Sequence, residues 1–346
     1  MNFKETLARV VERHDLDRGQ MGAAMRAIMS GETTPAQIAG FLIALRMKGE
    51  TVDEITAAAE VMRELVTKVS VDKAYREQLV DTCGTGGDAS GLFNVSTACA
   101  FVVAAAGGRV AKHGNRSVSS RSGSADVLEA AGVKLELGPK DVARCIKEVG
   151  VGFMFAPAFH GAMKHAIGPR KEMGVRTIFN LIGPLTNPAN APNQVLGVFD
   201  VKWVEPLAEV LDKLGSQHVM VVNSEEGLDE ISIVKPTLVA ELREGMLRVY
   251  AIDPAEYGLN HSSLEALKVN NAQESLALIR RIFGGEPGPA RDMLLLNAGA
   301  ALYVCGKARD LAQGIEQAVA AIQDGGAARK LESLVALSRQ LGAMAA

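Results

Sequence analysis

The sequence predicts an α/β protein in which a small N-terminal all-helical domain precedes a large α/β domain with a mostly parallel central sheet. Three observations carry that prediction. Residues 1–72 show helical periodicity and helix caps with no strand among them. From Leu79 onwards the rhythm changes to short strand, loop and helix, an alternation that builds a parallel sheet covered on both faces. A chain of 346 residues, 48% of them hydrophobic, has enough apolar material for two domains.

The helical domain is read from its caps. Asp15 precedes a helix over Arg18–Met29, Thr34-Pro35 precedes one over Ala36–Met47, and Thr51-Val52-Asp53-Glu54 forms a capping box before Ile55–Leu65. An apolar stripe that includes Phe41, Leu42, Leu45 and Met47 is buried either against another chain or against its own, and the pattern alone leaves both open.

In the second domain, residues 73–346, Leu79 and Val80 read as the end of a short buried strand. Arg109–Lys112, Gly152–Phe155, Val195–Phe199 and His218–Asn223 are further strands. Thr237–Arg243 and Met246–Ile252 flank Glu244-Gly245 as a hairpin. Helices over Ala272–Phe283, Ala290–Val304, Asp310–Gln323 and Ala327–Leu341 complete the chain, with no repeat or low-complexity linker between them. Residues 168–188 stand apart, because their Gly183-Pro184 and Asn187-Pro188 pairs are turn chemistry suited to a hinge between the domains.

Two loops have the composition of an anion site. In Asp81-Thr82-Cys83-Gly84-Thr85-Gly86-Gly87-Asp88 three glycines let the backbone approach a ligand without Cβ interference. Asn94-Val95-Ser96-Thr97 then opens an apolar helix, with Asn94 as N-cap and N–H groups and a dipole that favour negative charge. Gly84 to Ala89 satisfies the dinucleotide pattern G-x-G-x-x-A, but the helix opens well past the last glycine, and the Gly-Lys-Ser/Thr ending of a P-loop is absent. The second loop is Lys112-His113-Gly114-Asn115-Arg116-Ser117-Val118-Ser119-Ser120-Arg121-Ser122-Gly123-Ser124-Ala125-Asp126. Four cations and five serines between Arg109 and Asp126 suit a polyphosphate better than a neutral ligand. Both loops follow strands one βα unit apart and would meet at the C-terminal edge of the sheet.

Other residues carry distinct chemistry. Asp229-Glu230 follows the strand His218–Asn223 and the turn Ser224-Glu225-Glu226-Gly227, and such hard oxygen donors suit Mg²⁺, which binds through one or two carboxylates plus substrate phosphates. Arg170, after Pro169, is shaped to grip a planar carboxylate in bidentate fashion. His160 and His165 are five apart and share no helix face for zinc; His160, a lone histidine on a semi-apolar helix, reads as structural, with a place lining a pocket left open.

Composition removes other classes. A net charge of -3 and 4% aromatic residues argue against a nucleic-acid surface. The apolar runs Ala98–Ala106 and Met293–Leu296 are too short to span a bilayer, and no basic-then-apolar signal opens the chain, which predicts a cytoplasmic protein with no membrane partner. Cys83, Cys99, Cys145 and Cys305 lack C-x-x-C spacing and read as reduced core residues.

Gly84-Thr85-Gly86-Gly87-Asp88, Asn94-Val95-Ser96-Thr97, Lys112-His113-Gly114-Asn115-Arg116, Arg176-Thr177-Ile178-Phe179-Asn180 with Gly183-Pro184-Leu185-Thr186-Asn187-Pro188, and Asp229-Glu230 resemble, in that order and over nearly the whole chain, the anthranilate phosphoribosyltransferase family. The resemblance implies a fold of the nucleoside phosphorylase/phosphoribosyltransferase type and a homodimer formed through the helical domain. It implies that phosphoribosyl pyrophosphate is bound by Gly84, Gly87, Asp88, Leu92, Asn94, Val95, Ser96, Thr97, Lys112, His113, Gly114, Asn115, Arg116, Ser117, Val118, Ser119, Ser120 and Ser124, and anthranilate by Gly84, Asn115 and Arg170. Ser96, Asp229 and Glu230 would contact Mg²⁺, with two ions per subunit bridging enzyme and pyrophosphate. At Leu92 the sequence departs from the hydroxyl residue usual in the family.

The reaction so implied is displacement of pyrophosphate from C1 of phosphoribosyl pyrophosphate by the amine of anthranilate, the second step of tryptophan biosynthesis from chorismate. An aniline amine is neutral at pH 7, so no discrete acid or base is assigned, and catalysis rests on in-line positioning and neutralisation of the leaving group. A pyrimidine nucleoside phosphorylase shares the architecture, but it needs neither the acidic metal pair nor a carboxylate grip at Arg170. A nucleic-acid-binding relative would need a basic groove.

Overall fold

Local sequence decides how the first helices start and stop. The computed structural model describes residues 2–87, 90–117 and 121–344. Helix α1 (Phe3–Val11), in addition to the helices expected above, opens on a capping box between Asn2 and Glu5. For α2 (Arg18–Ser30) the cap is Asp17, whose carboxylate accepts the Gln20 N–H at 2.8 Å, rather than Asp15, and the helix ends on Gly31 at φ 81°. Thr34 caps α3 (Pro35–Lys48), with proline at its first position, and Thr51 with Glu54 caps α4 (Val52–Leu65). Glu54 is fully buried, yet it accepts the N–H groups of Thr51 and Leu16 at 2.8 and 3.0 Å and the Lys48 ammonium at 2.9 Å. A buried carboxylate is tolerated there because all its partners are supplied. Phe41, Leu42 and Leu45 pack on their own chain with Met21, Met25 and Ile28, whereas Met47 is 68% exposed.

After α5 (Lys73–Arg76) the sheet begins. Its elements in order are β1 (Leu79–Gly84), α6 (Val95–Ala105), β2 (Arg109–Gly114), α7 (Ser124–Ala131), α8 (Pro139–Glu148), β3 (Val151–Phe155), α9 (Ala156–Phe159), α10 (Lys164–Met173), α11 (Ile178–Ile182), β4 (Asn193–Gly197), α12 (Val204–Lys213), β5 (His218–Ser224), β6 (Thr237–Arg243) and β7 (Met246–Ile252). Helices α13 (Ala272–Phe283), α14 (Pro289–Val304), α15 (Leu311–Gln323) and α16 (Gly326–Met344) follow. Most strand bounds move by a residue or two, and two strand starts shift most. Leu79 begins β1 rather than ending a strand, and β4 starts at Asn193, two residues before the expected Val195. The polar Asn193 fits there because its amide donates to the carbonyls of Glu77 and Leu79 at 2.7 and 3.1 Å.

The strand order is β3-β2-β1-β4-β5-β6-β7, with β3 to β5 parallel and the β6–β7 hairpin antiparallel. Strand order reverses between β1 and β4. In an open α/β sheet the crevice beyond the strand ends at such a switch point is where ligands bind. Both faces are covered: on β5, Val219 and Val221 join one apolar core while Met220 and Val222 join the other. One core takes in α6 and α13 to α16. The other takes in α12 and the N-terminal helices, and Ile178, Phe179, Leu181, Ile182 and Leu185 are buried within it. The segment expected to act as a hinge therefore packs back on the helical unit. Among the described residues no helix is long and apolar enough to cross a membrane.

Candidate active site

The switch-point crevice is closed from above by the segment carrying Asp229. A Cβ at Gly84 would overlap the Asp229 carboxylate, and one at Gly197 would overlap the Asp229 carbonyl. Glycine at both strand ends is what lets this backbone cross them. Asp229 Oδ2 then accepts the Gly86 N–H at 2.8 Å, and Glu230 Oε1 accepts the Ser96 N–H at 3.2 Å. The acidic pair thus meets the glycine loop and the start of α6 at one place. Asn297, on α14, fixes the next residue by accepting the Ile231 N–H and donating to the Ile231 carbonyl, both at 2.9 Å. Nothing in the local pattern signals Asn297, which lies in an apolar helix 66 residues away.

Asn94 stands at the N-cap position of α6 as expected, but its side chain makes no capping bond. Its φ and ψ of -76° and 75° leave the side chain turned from the helix. The Oδ1 atom accepts from the hydroxyls of Ser122 and Ser275, each at 2.8 Å, and the amide donates to the Ser122 carbonyl at 3.2 Å. Asn94 consequently ties both loops to α13, where Ser275 is fully buried. Val95 and Thr97 are buried too, so Val95 offers only its backbone, and the Thr97 hydroxyl has no hydrogen-bond partner among the described residues. Leu92 packs on the large core and forms an antiparallel bridge with Lys268.

Below the loops lies a buried charged layer. Lys112 is 2% exposed, and its ammonium donates to the Thr82 carbonyl and, at 3.2 Å, to Ser96 Oγ. Asp81 accepts from the Asn187 amide at 2.6 Å and the His113 N–H at 3.3 Å. Burial pushes the Asp81 carboxyl up to about 6, against the pull of Lys112 and these donors. His113 is buried with its Nε2 3.1 Å from that of His160. Burial lowers the two rings to about 3 and about 4, His160 and Lys112 adding to the effect on His113, so both rings are neutral at pH 7. Only the fold shows that His160 touches His113.

The second loop wraps its own acids. Arg116 donates to both carboxylate oxygens of Glu129 at 2.6 and 2.8 Å and to Asp126 at 3.2 Å, which raises its pKa further. Asp126 also accepts the N–H groups of Ser117 and Gly123 at 3.0 and 2.8 Å. Asn115 Oδ1 accepts the Arg116 N–H at 2.7 Å, Gly114 closes β2, and Ser124 opens α7. Asp88, Val118, Ser119 and Ser120, also expected at the site, lie outside the described residues.

Two arginines lie on or just beyond α10. Arg170, on α10, sits 5.1 Å from the Phe179 ring centroid, and burial lowers its pKa. Among the described residues no carboxylate pairs with it. Arg176 donates to the Gly87 carbonyl and lies 4.1 Å from the Phe199 ring centroid, a role the sequence did not suggest.

Known proteins share the sequence and the fold of this chain. The chain matches the description "Glycosyl transferase family, a/b domain" over residues 76–328 and "Glycosyl transferase family, helical bundle domain" over residues 4–66. It is similar to the anthranilate phosphoribosyltransferase of Thioalkalivibrio sulfidiphilus, 63% identical over 338 residues that cover 98% of this chain and 99% of that one. The protein of the same name from Alkalilimnicola ehrlichii is 59% identical over 99% of this chain and 100% of its own length. Among solved structures, the anthranilate phosphoribosyltransferase from Thermus thermophilus superposes with a TM-score of 0.90 at 45% identity, covering 96% of this chain and 99% of that one. The Saccharomyces cerevisiae enzyme in complex with PRPP and Mg, at 24% identity and a TM-score of 0.87 over 98% of each chain, shares the fold.

Proposed function

The chain belongs to the anthranilate phosphoribosyltransferase family, and from that premise we propose how its own residues carry out the family's reaction. That reaction transfers the phosphoribosyl group of phosphoribosyl pyrophosphate to the amine of anthranilate, giving N-(5-phosphoribosyl)anthranilate and pyrophosphate. In this reading the pyrophosphate lies across the glycine loop at Gly84–Gly87 and the first turn of α6. The observation that carries it is the pair of contacts from Gly86 N–H to Asp229 and from Ser96 N–H to Glu230, which bring two anion-binding backbones and two carboxylates together.

Magnesium fits this donor set. Two adjacent carboxylates and the Ser96 hydroxyl are hard oxygen ligands, and among the described residues no group of three or more His, Cys, Asp or Glu side chains competes for a softer ion. When bound there, Mg²⁺ would neutralise charge on the leaving pyrophosphate, and two ions per subunit are proposed. Lys112 holds Ser96 Oγ from below and orients it. Arg170 grips the anthranilate carboxylate, with Asn115 and Gly84 against the same substrate. The His113–His160 pair is neutral at pH 7 and is given no acid or base role, consistent with a nucleophile that is already uncharged.

We further propose a helical unit over residues 1–72, an α/β unit over 73–346, and residues 168–188 linking them. A cytoplasmic setting is in keeping with four buried free cysteines. A homodimer through the helices is supported by an open groove of about 500 Å³ lined by Val10, Val11, Ile43, Met47 and Met173. Loss of anthranilate fluorescence on addition of phosphoribosyl pyrophosphate and Mg²⁺ tests the activity. Phosphorolysis of a pyrimidine nucleoside without anthranilate turnover would replace this reading.

A further inference from the structure

Arg176 joins three parts of the molecule that are far apart in sequence. It lies two residues beyond Gly174, whose left-handed φ of 61° ends α10. Its guanidinium donates to the Gly87 carbonyl while lying 4.1 Å from the Phe199 ring centroid. Gly87 itself stands at φ 81°, and a Cβ there would come within 2.8 Å of Arg176 Nη2, so the loop and the arginine leave no room for a side chain. The same strand end holds both: the Phe199 N–H donates to Thr85 Oγ1 at 3.0 Å, and the Thr85 N–H donates to the Gly197 carbonyl at 2.9 Å. From the opposite side, Arg46 on α3 donates its guanidinium to the Arg176 carbonyl. Arg170, the arginine assigned to the acceptor carboxylate, is six residues away on the helix that Gly174 closes.

We propose that Arg176 is a positioning residue that holds the glycine loop in register with the acceptor arm and conveys the placement of the helical unit to it through Arg46. Its side chain acts on a backbone carbonyl, so the effect on substrate is indirect: holding the Gly87 carbonyl fixes the course of the glycine loop beyond Gly86, whose own N–H is held by Asp229. The flat guanidinium suits this task, because one face stacks on Phe199 while an edge N–H reaches the carbonyl. An ammonium has the charge and the donor but no plane to stack. This inference rests on the reading that the glycine loop holds the pyrophosphate.

Steady-state kinetics with each substrate varied in turn, on Arg176→Ala, Arg176→Lys, Arg46→Met and the Arg176→Ala/Arg46→Met pair, test it. Loss of a hydrogen bond from a charged donor predicts a KM for phosphoribosyl pyrophosphate raised about tenfold or more in Arg176→Ala. Arg176→Lys should recover part of that. Arg46→Met, at an exposed residue whose guanidinium meets the Arg176 carbonyl and, among the described residues, no loop residue, should raise the same KM by roughly a few-fold, and the double variant should be no worse than Arg176→Ala alone because both act on one link. Melting temperatures close to that of the parent exclude general unfolding. If Arg176→Ala is poorly folded, Arg46→Met and Arg176→Lys still decide the question. A raised KM in Arg176→Ala with no effect of Arg46→Met makes Arg176 a direct ligand contact and overturns the coupling. Unchanged KM values in all of them also overturn it. In that case Gly87→Ala separates the two ideas: a raised KM there leaves the loop reading standing, and a silent Gly87→Ala removes the loop from the pyrophosphate site.

Discussion

The Asp229 carboxylate accepts the Gly86 N–H at 2.8 Å across 143 residues of sequence, and Glu230 does the same for Ser96 at 3.2 Å. Each acid thus sits on a backbone donor that an incoming pyrophosphate would use. In the proposed reading the two carboxylates would hold Mg²⁺ and the two N–H groups the pyrophosphate, so anion and metal binding would be linked.

Asp229→Asn with Glu230→Gln should therefore abolish Mg²⁺-dependent turnover and leave the fold intact. It should also bind pyrophosphate in the presence of a chelator at least as tightly as the parent, because two negative charges beside the anion are gone. Activity, thermal melting and calorimetric titration with pyrophosphate check this. Wild-type turnover in the double variant would take both residues out of the metal site.

Arg170→Ala should raise the KM for anthranilate strongly and that for phosphoribosyl pyrophosphate little. A charge-assisted contact contributes roughly 1.5–3 kcal/mol, equivalent to about tenfold to a hundredfold in kcat/KM. Arg170→Lys should rescue only in part, because a point charge lacks the planar fork. An unchanged anthranilate KM would place the carboxylate elsewhere.

The His113–His160 pair sets a pH dependence of stability. Both folded values are depressed, to about 3 and about 4, from the usual 6.5. The stability they contribute is full above pH 6.5 and is lost as pH falls through about 4 and then about 3. Asp81, raised from 3.8 to about 6, works in the opposite sense: its contribution is full below 3.8 and fades as pH rises through about 6. Two histidines outweigh one aspartate, so melting temperature should drop between pH 6.5 and about 4. His160→Gln should make that slope shallower, by on the order of 2–3 kcal/mol over the window. Parallel slopes for parent and variant would show that His160 is not held neutral by the fold.

Light scattering at micromolar concentration should give a dimer mass, and Val11→Asp with Met47→Asp should shift it to a monomer. Both side chains are more than half exposed, at 63% and 68%, so the change acts on the groove rather than on the core. A parent monomer with ordered helices would rule out the helical unit as a dimer contact.

What the sequence determined by itself is local. The capping boxes at Thr34 and Thr51, the Glu244-Gly245 hairpin, and the glycine, serine and cation content of the two loops are decided by residues a few positions apart, where backbone conformation and side-chain chemistry act directly. Fold class followed from them, as did the family. The tertiary structure alone decided which distant residues serve the loops. Inserting β4 beside β1 brings Gly197 and the Asp229 backbone over Gly84, and the same topology sets Ser275 on Asn94, His160 on His113 and Arg176 on Gly87. No periodicity signals such pairs, because a single buried polar residue in an apolar helix or a turn has the same local pattern whether its partner is a catalytic loop or the core. Asn94 shows the consequence: its type and position mark a helix cap, but Ser122 and Ser275 take its side chain, and close packing of three elements outweighs a capping bond worth about 1 kcal/mol.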